Sequence, residues 1–344
     1  MNALALAPRR WSAAPELRVS PARAAFVLAV LALGGLAALL AAAVLGEYPL
    51  ALGRALSDPA SADATVLWQL RVPRALLGAL VGAALAASGS ALQGLLKNPL
   101  ADPFVLGVSG GAALGATVAL ALGLTALIGP SLFAFVGSVA AMGLVLAVGR
   151  TRGSPHAALL TGVVFNAFAA AAITCIKTLV SPDRVGEILY WLSGSLGYET
   201  LRTLAGAAVL QAVCIGVLWR QSGRLNLLSL GDEDAASLGV PVSRTRVLVL
   251  VAASLSVAGA VALSGLVGFV GLIVPHVLRL WLGPDQRLLL PASALGGAAF
   301  LVLSDLLTRL LFPVFHAELP VGVVTAVLGG PLFLWLLQRD EATR

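Results

Sequence analysis

Long apolar runs separated by short polar breaks dominate the chain. The runs lie at 22–46, 72–95, 105–125, 128–149, 156–180, 201–219, 288–310 and 319–337. A helix needs about 20 apolar residues to cross the hydrocarbon core of a bilayer. Each run is therefore an expected transmembrane helix. The stretch 246–282 is too long for one span. Pro275 and the glycines at 265, 268 and 271 interrupt it, which predicts two spans, the second short. The pattern predicts an all-α polytopic membrane protein with ten transmembrane helices. The spans occupy 22–338, between tails at 1–21 and 339–344, with a polar segment at 222–243.

Composition sharpens this picture. Only 11% of the 344 residues are charged and 59% are hydrophobic. A soluble domain carries roughly 25% charged residues, so a soluble enzyme, a disordered chain and a nucleic-acid binder are excluded. The net charge of +6 is tested first as topology bias. Seven cations, Arg54, Arg71, Arg74, Lys177, Arg184, Arg202 and Arg309, fall on one side of a ten-span arrangement; the remainder of the 22 fall on the other. The positive-inside rule then places both termini in the cytoplasm of a cell bounded by an inner (plasma) membrane. Arg9, Arg10, Arg18 and Arg23 precede a run longer than a signal sequence, so 22–46 is read as a retained span. Trp68, Trp191, Trp219, Trp281 and Trp335 sit at expected span ends, as an interfacial belt does. The four-residue spacings Gly78/Gly82 and Gly107/Gly111/Gly115 favour close helix packing.

Several chemistries are missing. No span centre carries a carboxylate, which counts against the alternative reading, a secondary transporter of a small organic solute coupled to protons or sodium. The two lysines follow Leu96 and Ile176, so no P-loop is present and ATP must be hydrolysed elsewhere. His156, His276 and His316 are far apart in sequence, and no metal-ligand spacing or catalytic triad occurs. Cys175 and Cys214 lie in apolar runs and imply no disulfide.

Three polar stretches stand out. The turn Asn98-Pro99-Leu100-Ala101-Asp102-Pro103 cannot continue a helix; it is a helix stop or a structured turn. Gly231 and Gly239 bracket Asp232, Glu233, Asp234, Ala236 and Leu238, where early carboxylates favour a short helix. That segment is a solvated loop or a rigid docking element. Arg71, Arg74 and Arg309 run against the charge bias, as snorkelling anchors or as partners for carboxylates of an external protein. Asn166 suggests a helix–helix hydrogen bond, and His276 with Arg279 a polar contact at the inner face.

These residues resemble the FecCD family, the permeases of ABC importers for iron-siderophores, haem and vitamin B12. The motifs are Arg71-Val72-Pro73-Arg74, Gly82-Ala83-Ala84-Leu85-Ala86, Asn98–Pro103, Leu106–Ala112, Gly231-Asp232-Glu233, Gly268–His276, Asp305-Leu306-Leu307 with Arg309, and Glu318–Gly322. The resemblance covers about 25–338. It implies a vitamin-B12-permease-like fold, a homodimer with a second copy, a cytoplasmic ABC ATPase dimer that holds ATP and Mg, and one periplasmic or lipoprotein substrate-binding protein. The chain itself would bind no cofactor, and membrane lipid would surround it. Gly231, Asp232, Glu233, Ala236, Leu238 and Gly239 would form the ATPase-coupling helix. Arg71, Arg74 and Arg309 would dock the binding protein, and Asn98, Pro99 and Leu100 would form the cytoplasmic gate. Siderophore, haem and cobalamin all remain open as cargo.

Overall fold

A computed structural model describes residues 20–124, 128–152 and 155–342. The described residues form helices and turns throughout. In chain order the helices are α1 (Pro21–Val44), α2 (Leu52–Ser57), α3 (Ala62–Thr65), α4 (Val72–Leu95), α5 (Val108–Ala121), α6 (Ile128–Arg152), α7 (Pro155–Leu179) and α8 (Pro182–Leu192). They continue as α9 (Leu201–Arg220), α10 (Ser222–Leu228), α11 (Asp232–Ser237), α12 (Val242–Ser264), α13 (Val270–Leu282), α14 (Gln286–Leu310), α15 (Phe312–Phe315) and α16 (Val321–Ala342). Among the described residues, 7 helices are long and apolar enough to cross a membrane, and Val108–Ala121, Val270–Leu282 and Val321–Trp335 are shorter apolar helices. Arg9, Arg10, Arg18 and Arg344 lie outside the described residues. α16 runs past the expected boundary at 338.

The bundle has two ends. One, here the basic end, carries the turn 96–107, α10, α11 and the 283–285 turn. The other, the far end, carries 45–71, α8, the loop 193–200, the 265–269 break and α15.

α4 is the central rod. It packs against α1, α9, α12, α13 and α14, and its residues from Ala84 to Leu92 are all buried. Small residues make this possible. A Cβ on Gly82 would fall on the backbone carbonyl of Gly297 in α14, and a Cβ on Gly89 would fall on that of Gly271 in α13. Gly111 and Gly115 meet the carbonyls of Gly137 and Phe133 in α6 in the same way. Close backbone approach supplies the dispersion contacts that hold helices together where no hydrophobic effect acts between them. The spacing of these glycines is thus spent on packing. α1 lies outermost: only Ala38 and Ala42 are buried, while Phe26 and Leu33 are exposed.

Two expected boundaries move. The apolar run 105–125 contains a helix only from Val108, because Asp102 caps a 3-10 turn over Pro103–Leu106 and Gly107 turns left-handed at φ 81. The stretch 246–282 does split, but at Gly265 (φ 66) and Phe269 (φ 69), not at Pro275. Pro275 and Gly271 lie inside α13. Proline leaves a carbonyl four residues earlier without its helical donor. Here that carbonyl, Gly271 O, accepts from Gln93 Nε2 of α4 at 3.5 Å, and Leu272 O accepts from the same nitrogen at 3.1 Å. The proline is absorbed as an inter-helix bond.

Gly89→Ala should therefore destabilise the folded protein by about 1–3 kcal/mol through overpacking. Gly206→Ala in α9, where a Cβ meets nothing within 4 Å, should stay within ~0.5 kcal/mol of the parent. Thermal unfolding of both variants in the same detergent checks the difference.

Candidate functional site

The far end holds a cluster of buried charge. A π-helical turn over Val66–Arg71 runs straight into α4, with Pro73 as the second residue of α4. Arg71 and Arg74 are three residues apart and share a face. Arg74 grips Asp305 of α14: Nε donates to Oδ1 at 3.0 Å and to Oδ2 at 3.2 Å, and Nη2 donates to Oδ1 at 2.8 Å. Its remaining nitrogen, Nη1, pairs with Glu318 Oε1 at 2.5 Å. The Arg74 and Asp305 side chains are 7% and 2% exposed, while that of Glu318 is 41% exposed. The Tyr198 ring lies 6.0 Å from the Arg74 guanidinium carbon.

The other two arginines close the end of α1. Arg309 stands one turn after Asp305, with Nε 3.2 Å from Oδ2. Its Nη1 donates to Ala42 O at 3.0 Å and to Leu45 O at 3.5 Å, and its Nη2 makes no hydrogen bond among the described residues. Arg71 donates through Nη1 to Val44 O and through Nη2 to Tyr48 O, both at 2.5 Å. The bonds to Ala42, Val44 and Leu45 satisfy carbonyls that a helix C-terminus leaves open, and the bond to Tyr48 O ties down the stretch that follows.

All three arginines are less than a tenth exposed. The sequence pattern suggests free outward cations; the structure gives each an internal partner. Three guanidiniums face two carboxylates, so one positive charge remains uncompensated within the cluster. Asp305 was legible as a partner of Arg309 from its i,i+4 spacing. Its bond to Arg74, 231 positions away, and the reach of Glu318 had no local signal. Nearby, burial pushes the Glu199 carboxyl above its ordinary range, with a hydrogen bond from Thr203 opposing. Arg184, also expected outside, donates to Leu120 O at 2.7 Å and to Ala121 O at 3.1 Å and so caps α5.

The basic end carries the short acidic helix. Gly231 (φ 142) and Gly239 (φ 83) bracket α11, which only glycine does without strain. Ala235 is fully buried in the core, whereas Asp232, Glu233, Ala236 and Leu238 are exposed. Asp232 accepts from Arg246 Nη2 of α12 at 2.8 Å, and Lys97 Nζ lies 3.9 Å away. The hydrogen bond from Arg246 holds the Asp232 carboxyl below its ordinary range; slight desolvation opposes it. α11 is therefore a short, exposed helix seated on the bundle through Ala235.

Lys97 leads into the irregular turn and is itself left-handed at φ 51. Asn98 N–H donates to Gln93 O at 3.2 Å, Leu100 N–H to Asn98 Oδ1 at 2.9 Å and Ala101 N–H to Asn98 O at 3.1 Å. Asn98, Pro99 and Leu100 are exposed, so this is an ordered turn and more than a helix stop. Beside it, Gln93, Lys97, Pro99, Asn226, Arg279 and Gln286 line an open pocket of about 410 Å³. Arg279 Nη2 donates to Gln93 Oε1 at 2.9 Å, an internal partner for the expected inner-face contact. His276 is buried, edge-on to Phe333. Asn166 makes the expected helix–helix bonds, accepting from Gly110 N–H at 3.1 Å and donating to Phe104 O at 3.0 Å. No group of three or more His, Cys, Asp or Glu among the described residues is placed to hold a metal ion.

Comparison with known proteins places this geometry in context. A family model described as the FecCD transport family matches residues 28–339. The hemin transport system permease protein of Yersinia pestis is 42% identical over 287 residues, covering 81% of this chain and 85% of that protein. The cobalamin import system permease protein of Halobacterium salinarum is 43% identical over 280 residues, covering 81% and 74%. A solved structure titled as an inward-facing conformation of a metal-chelate type ABC transporter superposes with a TM-score of 0.83 at 32% identity, covering 92% of this chain and 99% of that one.

The two carboxylates of the far-end cluster should separate in a stability measurement. Asp305→Ala strands two buried guanidiniums and should cost about 3–5 kcal/mol. Glu318→Ala, losing a half-exposed partner, should cost about 1 kcal/mol or less. Thermal unfolding in lipid nanodiscs reads both.

Proposed function

The chain belongs to the FecCD transport family, and we propose that it is the membrane-spanning permease of an ATP-driven importer carrying an iron chelate (siderophore or haem) or cobalamin into the cytoplasm. The observation that carries this reading is a likeness that runs from α1 into α16, over residues 28–339 in sequence and 92% of the chain in fold. The seven long apolar helices, together with α5, α13 and α16, would supply ten crossings. The basic end then faces the cytoplasm, in keeping with the charge bias.

In this arrangement the permease performs no chemistry and holds no cofactor. A separate cytoplasmic ATPase dimer, with its ATP and Mg, supplies the energy. α11 suits mechanical coupling to it. Its glycine brackets isolate it as a unit, Ala235 seats it in the core, and Ala236 and Leu238 stay outside to meet a partner. Asp232 links it to α12 through Arg246 and lies near Lys97, at the head of the turn. A push on α11 thus reaches both α12 and the proposed gate at Asn98, Pro99 and Leu100. Non-helical backbone at membrane depth is tolerated where it lines a cavity, which is what a gate requires. Exposed apolar residues on α7 and α16, among them Val164, Phe168, Val327 and Leu334, suit lipid or a second copy of the chain flanking a shared path.

At the far end the arginine cluster is the proposed dock for a periplasmic or lipoprotein substrate-binding protein. Internal pairing does not remove this role, because the cluster keeps one surplus positive charge. It does change the test. Reversing Arg74 to Glu would set a carboxylate against Asp305 and disrupt the fold. Arg71 pairs only with backbone carbonyls, and Arg309 shares Asp305 with Arg74. The double substitution Arg71→Gln/Arg309→Gln therefore turns the surplus positive charge of the cluster into a surplus negative one, while Arg74 still neutralises Asp305.

In a reconstituted importer, Arg71→Gln/Arg309→Gln should abolish the stimulation of ATP hydrolysis by the binding protein, with the ATPase still bound to the permease. Undiminished stimulation would refute the docking role. Ala236→Arg should leave a complex that hydrolyses ATP without transport; normal uptake of labelled chelate by that variant would refute the coupling role of α11.

A further inference from the structure

We propose that Glu318 is a built-in stand-in for the docking carboxylate: it holds Arg74 in the free permease and yields it when an acidic protein partner binds. The inference rests on the docking reading of the arginine cluster. Asp305 consumes Nε and Nη2 of Arg74, and Glu318 consumes Nη1. The terminal nitrogens of Arg71 are taken by Val44 O and Tyr48 O. A partner's carboxylate can therefore reach Arg74 only where Glu318 now sits.

The two internal carboxylates are not equally exchangeable. Asp305 is 2% exposed and bridges Arg74 and Arg309, so its removal leaves buried charge unpaired. Glu318 is 41% exposed. Its ion pair is open to water on one side, and such pairs hold weakly. Replacing Glu318 by another carboxylate keeps the charge balance at Arg74 and changes only which chain supplies it.

The exchange has a structural consequence. Glu318 lies between His316, which is left-handed at φ 51, and Pro320, which precedes α16. α16 is fastened independently, because Gly322 N–H donates to Gly194 O at 3.1 Å and a Cβ at Gly322 would fall on the Ser193 carbonyl. Release of Glu318 frees the segment 317–319 without unseating α16, since α15 and Pro320 keep their own backbone bonds. Partner binding is thereby marked by loosening of that segment.

The test uses the full-length permease in right-side-out vesicles, with Cys175→Ser and Cys214→Ser, a nitroxide on Ala317→Cys, and fluorescent poly-L-glutamate as the probe. In the parent, probe binding should mobilise the label. Glu318→Gln should show a mobile label without probe and bind the probe about fivefold more tightly. If the probe binds and Arg71→Gln/Arg309→Gln abolishes that binding, yet Glu318→Gln changes neither affinity nor mobility, the stand-in role is overturned and docking stands. If the probe binds that double variant as well as the parent, or binds neither, the docking reading fails and the stand-in role fails with it.

Discussion

The ion pair between Arg74 and Asp305 is the interaction on which the far half of the bundle depends. It joins α4 to α14 where both are buried, with three donor–acceptor contacts between 2.8 and 3.2 Å. Charges removed from water are held only where geometry is good and remaining valences are filled. Both conditions are met at this pair, although the neighbouring Arg309 keeps Nη2 without a hydrogen bond among the described residues. Arg309 takes the second face of Asp305, Glu318 takes the last nitrogen of Arg74, and Arg71 and Arg309 close the end of α1 through its carbonyls. The glycine contact of Gly82 with Gly297 brings the same two helices close enough for this pair to form.

α4 also joins the two ends of the molecule. From Arg74 to Lys97 it and its terminal turn span roughly 35 Å at 1.5 Å per residue. One end carries the arginines, and the other carries Gln93, bonded to α13 and Arg279, and Lys97, close to Asp232 of α11. In the proposed mechanism an event at one end need not travel through a chain of weak contacts. It meets a single helix, buried along most of its length, whose two termini sit in the two working regions.

Much of this was legible in the sequence, and for identifiable reasons. Apolar run length fixes helix positions because bilayer thickness does, and the runs 72–95 and 201–219 coincide almost to the residue with α4 and α9. The brackets of α11 were readable because Gly231 and Gly239 serve φ values that other residues avoid. Asn166 was readable as an amide midway along an apolar helix that must find a partner. What escaped was long-range. Pro275 reads as a break because local rules ignore Gln93, which rescues the carbonyl that the proline abandons. Arg74 reads as free because Asp305 and Glu318 lie more than 200 residues away from it in sequence. Charge pairing across helices is decided by packing, which no window of the sequence contains.

Orientation is the claim from which the rest follows, since it assigns the acidic helix to an ATPase and the arginine cluster to an outer partner. It is tested most directly by labelling intact cells with a membrane-impermeant maleimide, with Cys175 and Cys214 replaced by Ser. Tyr48→Cys, exposed at the far end, and Leu238→Cys, exposed on the basic end beside α11, are the two reporters. Labelling of Tyr48→Cys in intact cells, with Leu238→Cys reacting only after the membrane is opened, is the predicted result. Labelling of Leu238→Cys from outside, with Tyr48→Cys protected, would contradict the account.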